Sequence, residues 1–409
     1  MLTPGTRAVA RCDLLGIAPY SDTPDGLYRG WLTPAHRVAI DRIGAWMVEA
    51  GMTVHLDPAA NLIGRYDGIQ DGPALLIGSH LDSVRDAGRY DGPLGILLGI
   101  ECVAALHAAN RRPPFPIEII AFGDEEGSRF PAAMLTSRAV AGTLPPDATA
   151  IVDAAGVSVD EARHAFGLTG PIATAARGTT LAYLEAHIEQ GPVLESEGLA
   201  IGTVTGIAAQ LRYAATVTGI AGHAGTSAMP LRRDALAAAA EMILAVERTA
   251  HAATSDLVAT VGRIDATPGA ANVIPGHVAF TIDIRSGDAA RRDAAAADIL
   301  AACHAIATER GVTFTADRIH DLPPSPCDPH LMDLLDAATV AAGQPVRRLV
   351  SGAGHDAMVM AALCPTAMLF IRCVGGISHN PAEAVAPADV DTAFAVLTGF
   401  IDRLGDDLV

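Results

Sequence analysis

The sequence predicts an α/β protein with a mixed, mostly parallel sheet, helices on both faces and an inserted ferredoxin-like α+β domain. In the first part, continuous apolar runs alternate with helical patterns, which is typical of strands buried in a parallel sheet. The middle part instead follows the order strand, helix, strand, strand, helix, strand. After a Pro-rich break at 322–329, helix and strand alternate again. The simplest architecture is one discontinuous α/β domain that carries a smaller domain within it.

The elements of the outer domain are predicted from periodicity and from helix stop signals. A helix is expected over 34–50 because apolar side chains recur at helical spacing and Gly51 ends the pattern. The other elements are strands at 74–79 and 117–122 around a helix at 93–109, then a helix at 330–342, strands at 346–350 and 366–371, and a helix at 388–404.

The inserted domain is predicted from elements in the ferredoxin-like order. They are a strand at 213–220, a helix at 231–252, strands near 257–265 and 277–286, a helix at 288–310 and a strand at 312–319. The expected boundaries are therefore 1–211 with 328–409 for the outer domain, and 212–327 for the inserted one.

Composition supports globular domains and excludes several classes of protein. Of the 409 residues, 50% are hydrophobic and 18% are charged, so disorder is not expected. A net charge of −18 argues against nucleic-acid and anionic-membrane partners. The N-terminus lacks an apolar signal core, no apolar run is long enough to span a bilayer, and the six cysteines are scattered without a C-x-x-C pair. We therefore expect free thiols and a cytoplasmic, reducing location.

Four short segments gather His and acidic residues at predicted strand ends, where open α/β sheets place their sites. Their candidate residues are His80, Asp82 and Asp91 in the first (78–92), Asp124, Glu125 and Glu126 in the second (121–130), His187 and Glu189 in the third (185–192), and His379 in the fourth (375–384). Each segment alone is explained as well by structural hydrogen bonds or by a solvated loop. The joint pattern indicates a site assembled from several loops.

Hydrolysis of an amide or ureido bond gives such a set of residues a chemical reason. Two divalent ions about 3.5–4 Å apart can polarise the carbonyl and activate a water. Such a site needs a shared carboxylate, further ligands on each ion, and a separate carboxylate as general base. Extended backbone would point Glu125 and Glu126 in opposite directions, which would give them separate roles. Asp82 is expected to orient the imidazole of His80, with a turn cap as the alternative.

Further motifs make the resemblance specific. HIEQGPVLE (187–195), GHAGTSAMPLRRDA (222–235), NVIPG (272–276) and SGAGHDA (351–357) resemble the M20-type metallopeptidase superfamily. The resemblance covers nearly the whole chain and is strongest to the hydantoinase/carbamoylase branch of amidohydrolases, with its allantoate amidohydrolases and N-carbamoyl-L-amino-acid hydrolases. It implies a zinc-exopeptidase-like fold whose inserted domain acts as a lid and a dimerisation domain.

The resemblance also implies a two-metal centre with one shared carboxylate. Its ligands would be the bridging Asp91, His80 and His187 on one ion, and Glu126 and His379 on the other. Glu125 would be the general base that activates water and later protonates the leaving nitrogen. His and carboxylate ligands without Cys suit Zn²⁺ or Mn²⁺, and also Co²⁺ or Ni²⁺.

A substrate pocket follows from the same resemblance. Its residues would be Gln190, Arg212, His223, Asn272, Arg285 and His355. Arg285 is suited to a bidentate grip on a carboxylate. From the residues alone, a surface salt bridge with Asp283 or Asp288 explains Arg285 as well, and a turn or a loop hydrogen bond explains the Asn and the first His. The family takes some of these groups from a partner's lid, which implies a homodimer, and Leu211 stands where members often carry a second Arg.

The activity implied is hydrolysis of a ureido (carbamoyl) C–N bond in a small acid, with allantoate favoured. The alternatives are an N-carbamoyl-L-amino-acid hydrolase or β-ureidopropionase, then a dipeptidase or aminoacylase, then a non-catalytic binding protein. The G-x-G-x-x-A stretch within 351–357 has no acidic residue about 20 positions on, so a dinucleotide-binding enzyme is rejected. No G-x-S-x-G elbow occurs, which disfavours a serine hydrolase.

Overall fold

The computed structural model describes residues 2–253 and 255–408, which form two compact units. The first unit contains the chain up to Thr205, then Cys327–Leu349 and the residues from Ala353 onward. The second unit contains Gly206–Pro326 and Val350–Gly352. It begins before the boundary predicted at 212 because that position lies inside a continuous strand, Ala209–Thr218.

The chain enters the first unit through helices and strands in alternation. These elements are α1 (Pro4–Leu15), α2 (Pro34–Glu49), β1 (Thr53–Leu56), β2 (Leu62–Tyr66), β3 (Leu75–His80), α3 (Pro93–Ala108), β4 (Ile117–Phe122), α4 (Leu135–Ala141), α5 (Val159–Ala165), β5 (Ala182–Ile188), α6 (Val193–Glu197) and β6 (Ile201–Ile207). Helix α2 begins where predicted, because the Thr33 side chain caps the backbone N–H of His36 and Pro34 occupies the first turn.

The second unit and the return of the chain complete the fold. The elements are β7 (Ala209–Thr218), β8 (Gly222–His223), α7 (Ala235–Ala252), β9 (Val258–Thr260), β10 (Ile264–Thr267), β11 (Val273–Ile274), β12 (His277–Ser286), α8 (Ala289–Arg310), β13 (Thr313–Leu322), β14 (Ser325–Pro326), α9 (Pro329–Ala341), β15 (Arg348–Ser351), α10 (Asp356–Met360), β16 (Thr366–Ile371) and α11 (Pro387–Asp406). Helix α7 starts later than the predicted position 231, because Asp234 caps it.

The sheet of the first unit has a parallel centre and antiparallel sides. Its strands lie in the order β1-β2-β4-β3-β5-β16-β6. The pairs β3–β4, β3–β5 and β5–β16 are parallel, whereas β1–β2, β2–β4 and β6–β16 are antiparallel. Strands β3, β4, β5 and β16 are buried along their whole length, so both faces of this centre are covered. The predicted mixed α/β fold is confirmed.

The turn that leads into helix α3 positions Asp91, one of the candidate site residues. The helix is buried along most of its length and packs against β3, β4 and β5. The turn before it contains Gly92 at φ 84°, where a Cβ atom would lie 2.5 Å from the carbonyl oxygen of His80. Only glycine allows this approach, and the approach brings Asp91 beside the end of β3.

The second unit is a ferredoxin-like sheet with helices on one face. Its strands lie in the order β10-β12-β7-β13, with β9 also on β12, and the pairs are antiparallel. Residues of α7 and α8 share a core with alternate residues of β7 and β12, such as Leu211 and Ile284. Because side chains alternate along a strand, Arg212 and Arg285 lie on the opposite face.

Two expectations about solution chemistry concern thiols and membranes. The six cysteines are free and buried, as predicted, and burial raises the pKa of thiols such as Cys102, to about 12. Within the described part of the chain, no helix combines the length and the hydropathy that crossing a membrane requires.

Candidate metal centre

The four His- and acid-bearing segments meet at one edge of the central sheet. His80 ends β3, His187 lies near the end of β5, and the other two segments directly follow β4 and β16. These four strands are parallel neighbours. Their carboxyl ends therefore share one edge, where open α/β sheets bind ligands.

The carboxylate of Asp91 lies between two sets of candidate ligands. Its Oδ1 atom is 3.0 Å from Nε2 of His187 and 3.3 Å from Nε2 of His80. Its Oδ2 atom is 3.3 Å from Nε2 of His379, which lies 3.3 Å from a carboxylate oxygen of Glu126. Each oxygen of one buried carboxylate thus faces a separate pair of ligand-type side chains.

The donor set fits a metal ion. Nδ1 of His80 is 3.1 Å from the Asp82 carbonyl oxygen, and Nδ1 of His187 is 2.9 Å from that of Ile188. A neutral imidazole that donates through Nδ1 has a bare Nε2, and these two Nε2 atoms are 3.4 Å apart. Oδ1 of Asp91 is buried, and among the described residues no group other than these imidazoles is placed to donate a hydrogen bond to it. Three acceptor atoms therefore converge, and a cation would satisfy all of them.

When no cation is bound, protons on the imidazoles must balance the negative charge of Asp91. Burial lowers the pKa of each imidazole, but hydrogen bonds to Asp82 and Asp91 raise the pKa of His80 well above its ordinary value, and Asp91 raises that of His187. Burial opposes ionisation of Asp91, yet the three surrounding imidazoles hold the pKa of its carboxyl well below the usual range. The cluster is therefore one carboxylate anion, Asp91, surrounded by imidazoles that either carry a proton or can bind a cation.

The side chain of Asp82 binds the backbone of the second segment. Its carboxylate accepts hydrogen bonds from the backbone N–H groups of Glu125 (2.9 Å) and Glu126 (3.2 Å), and lies 3.6 Å from Nδ1 of His80. The chain bends at these two glutamates, so the extended backbone on which the expectation for their side chains was based is not present. A ligand oxygen of each glutamate lies within 4.8 Å of a ring nitrogen of His80.

The environment of Glu125 suits proton transfer. Burial raises the pKa of its carboxyl well above the ordinary value, against the opposing effect of His80, and the neighbouring Glu126 raises it further. A raised pKa makes a carboxylate a stronger base, which favours taking a proton from water. The structure therefore places a poised carboxyl beside the candidate ligands.

Three further side chains hold Asp91, and only one of them was singled out from the sequence. The Oδ2 atom accepts hydrogen bonds from the Ser378 hydroxyl (2.7 Å) and from Nε2 of Gln190 (2.9 Å). Gln190, expected in the substrate pocket, thus contacts a candidate metal ligand. One oxygen of Glu383 accepts the backbone N–H groups of Tyr90 (2.7 Å) and Asp91 (3.1 Å). Ser378 and Glu383 lie in the fourth segment, and that proximity is their only sequence signal.

The remaining acidic and His candidates of this unit have other surroundings. His355 is buried with its ring centroid 4.5 Å from that of His187, and burial holds its pKa well below the usual value, so it is neutral. Glu189 caps α6 by accepting the backbone N–H groups of Val193 and Leu194. Asp124 is fully buried, and burial raises the pKa of its carboxyl.

In the second unit, two predicted substrate residues meet at one carboxylate. Asp283 accepts Nε and Nη2 of Arg285 at 2.7 and 3.1 Å, and Nε of Arg212 at 2.7 Å. The salt bridge that sequence reasoning offered as the alternative for Arg285 is therefore present. The same residues line a cavity of about 680 Å³, with Thr260 and Thr281 beside them.

His223 and Asn272 lie elsewhere in the second unit. Pairing of β8 with β11 puts them next to each other, and both are exposed. The backbone bond from Gly219 to Gly276 fixes this pair beyond the His277 end of β12. Arg285 lies eight residues further along β12, roughly 26 Å from His277 at the rise of a strand. Neither His223 nor Asn272 is among the residues that line the cavity beside Arg285.

Comparison with known proteins gives the chain close relatives. Residues 76–403 match peptidase family M20/M25/M40. The chain is 43% identical to an N-carbamoyl-L-amino acid amidohydrolase of Geobacillus stearothermophilus, with 91% of this chain and 92% of that protein covered. It is 40% identical to allantoate deiminase 1 of Glycine max, with 97% and 89% covered. A hydantoinase/carbamoylase family amidase from Burkholderia ambifaria superposes with TM-score 0.91 at 40% identity, covering 98% and 97%.

Proposed function

This chain belongs to peptidase family M20/M25/M40, and from that premise we propose that it hydrolyses a ureido C–N bond in a small acid. The observation that carries the proposal is the Asp91 carboxylate, with one oxygen facing two imidazoles and the other facing His379. One carboxylate between two ligand sets is what a two-metal hydrolytic centre requires. The close relatives named as amidohydrolase and deiminase support the same chemistry.

The ligand roles follow from these contacts. Asp91 would bridge two divalent ions, with His80 and His187 on one and Glu126 and His379 on the other. When bound, the ions would polarise the ureido carbonyl and make water a better nucleophile. The His and carboxylate donors suit Zn²⁺ or Mn²⁺.

The protein's own groups would move the proton. Glu125 would take a proton from the attacking water and pass it to the departing nitrogen. Asp82 would keep Glu125 in place through the backbone N–H bond of 2.9 Å. The products of a ureido acid and one water are an amine, ammonia and carbon dioxide, so atoms balance without a redox partner.

The substrate carboxylate would be held by Arg285. Its Nε and Nη2 atoms face Asp283, and Nη1 bonds to the carbonyl oxygen of Gly352 at 2.6 Å. A guanidinium has five N–H donors, and these contacts engage three of them. The salt bridge and the substrate grip are therefore compatible.

We propose allantoate as the first substrate to test and an N-carbamoyl-L-amino acid as the second. Both place a ureido group one carbon from a carboxylate, so the same grip serves both. Support for allantoate comes from the match over 97% of this chain to a plant allantoate deiminase. Support for the second comes from the 43% identity to an N-carbamoyl-L-amino acid amidohydrolase.

A homodimer through the second unit is part of the proposal. The separation of His223 and Asn272 from Arg285 means that the three contact one substrate only if two copies contribute. The loop near this pair exposes Met229 (71%) and Leu231 (82%), as an interface would. Sedimentation should then give twice the 42.0 kDa of one chain.

The test is product release from a panel of substrates: ammonia from the ureido acids, and free amino acids from the dipeptide. Metal-free protein would be reloaded with Mn²⁺ or Zn²⁺ and offered allantoate, ureidoglycolate, N-carbamoyl-L-alanine, 3-ureidopropionate and a dipeptide. The expected result is metal-dependent ammonia release from allantoate or from the carbamoyl amino acid. Turnover of the dipeptide alone, or no turnover with either metal, would contradict the proposal.

A further inference from the structure

Four polar side chains form a square on the open face of the second unit's sheet. In the ladder of β7 and β12, Asp283 is directly opposite Arg212, and Arg285 is directly opposite Gln210. Residues two apart on a strand share a face, so all four project to the same side. The intervening Leu211 and Ile284 point into the core with α7 and α8.

Asp283 is the centre of this square. Its Oδ2 atom accepts Nε2 of Gln210 (2.7 Å), Nε of Arg212 (2.7 Å) and Nη2 of Arg285 (3.1 Å). Its Oδ1 atom accepts Nε of Arg285 at 2.7 Å. Burial would raise the pKa of this carboxyl, but the hydrogen bonds from the two arginines hold the pKa below its ordinary value. The carboxylate is therefore ionised near neutral pH.

The bonds to Asp283 engage the Nε atom of both guanidinium groups. Arg285 uses its Nε–Nη2 edge for Asp283 and Nη1 for the Gly352 carbonyl, which fixes the plane of the group. Arg212 contacts Asp283 through Nε, and its side chain is 46% exposed. Both residues line the same cavity, together with Asp283. Two cations and one anion leave a net charge of one, which matches one carboxylate.

We infer that Asp283 is a positioning residue for substrate recognition: it orients Arg285 and Arg212 so that their remaining N–H donors bind the substrate carboxylate. The inference rests on the proposed function. Without Asp283 the two guanidiniums would repel each other and lose their common anchor. An unanchored Arg side chain regains rotamer freedom, which binding must then remove again. Asp283 would act on binding and not on bond cleavage.

The test compares Asp283→Asn with the wild-type holoenzyme. The substrate is allantoate, or N-carbamoyl-L-alanine if the wild type prefers it, and its carboxamide serves as a competitive inhibitor. We expect the KM for the acid to rise about tenfold or more, with kcat within about twofold. The inhibition constant of the carboxamide, which lacks the charge, should stay within about twofold. A general structural defect would instead weaken both compounds.

The chain offers a matched control. Arg263 and Asp265 form the same kind of pair, two residues apart, with an Nε–Oδ2 distance of 2.6 Å, but at the exposed start of β10. Asp265→Asn should leave both constants unchanged. If Asp283→Asn fails to fold by thermal unfolding, Asp283→Glu decides, because it keeps the charge and shifts its position; its KM for the acid should also rise.

The outcomes separate the two proposals. An unchanged or lower KM for the acid in the folded Asp283 variant overturns this inference, as does an equal loss for acid and carboxamide. Wild-type protein that releases no ammonia from any ureido acid overturns the proposed function instead.

Discussion

The carboxylate at the metal centre, Asp91, and the carboxylate of the polar square, Asp283, are neutralised in different ways. At the metal centre, Asp91 faces the Nε2 atoms of His80 and His187. These atoms are acceptors when the rings are neutral, so a cation is needed to complete the cluster. In the square, Asp283 is already neutralised by two arginines. A site for chemistry is left unsatisfied, whereas a site for recognition is satisfied on one side and open on the other.

The largest effect should come from Glu125, because the proposed bond cleavage takes place at the metal centre. Glu125→Gln removes the proton acceptor and keeps the shape, so kcat should fall by about 10³-fold. Bound metal, measured by elemental analysis after dialysis, should not change. Glu197→Gln, which alters an exposed pair with Arg347 (2.7 Å), is the control and should be fully active. A Glu125→Gln enzyme with normal kcat would contradict the general-base assignment.

The next effect concerns how many ions the centre holds. Because both oxygens of Asp91 face ligand sets, Asp91→Asn should weaken both ions, and dialysed protein should retain less than one ion per chain. His379→Ala removes one ligand from one set and should leave about one ion. Equal metal content in the two variants would show that Asp91 does not bridge.

Much of the fold was predictable because it is local. The apolar spacing over 34–50 and the stop at Gly51 predict α2, and the order of elements at 213–319 predicts the ferredoxin-like unit. The hairpin of β1 and β2 was not predicted, since β1 has only four residues and its side chains are exposed or half-buried. A strand that short shows no period before its pairing is known.

The site was predictable where residue type carries the chemistry. His80, Asp91 and His187 stand out because ligand-type residues flank Gly turns at strand ends. Glu383 does not, because it acts on the backbone N–H of a residue 292 positions away. Nor does any pattern show that Gln190 contacts Asp91. Such contacts depend on how loops meet, which only the tertiary structure determines.

A smaller effect is expected at Glu383, in metal-free protein. Burial raises its pKa from 4.5 to about 7, with Asp91 adding to the shift. A carboxyl whose pKa is higher in the folded than in the unfolded protein destabilises the fold once it ionises. Its contribution to the free energy of unfolding is therefore lost as the pH rises from 4.5 to 7. The loss is at most about 3 kcal/mol. Gln keeps the accepting oxygen without the charge, so Glu383→Gln should lack this pH dependence. Parallel denaturation curves of the two proteins from pH 5 to 8 would contradict the assignment.

The smallest expected effect comes from comparing one serine of each unit. Ser378 donates one hydrogen bond of 2.7 Å to Oδ2 of Asp91, so Ser378→Ala should weaken metal binding about tenfold by loosening a ligand. Ser286 is the matched control: it is a buried serine of the second unit whose hydroxyl bonds to Asp256 at 3.2 Å. Calorimetric titration of metal-free protein with Mn²⁺ should show the loss for Ser378→Ala and none for Ser286→Ala. If both variants lose affinity equally, the metal centre depends on the second unit as much as on its own loops, and the division between a chemical and a recognition region fails.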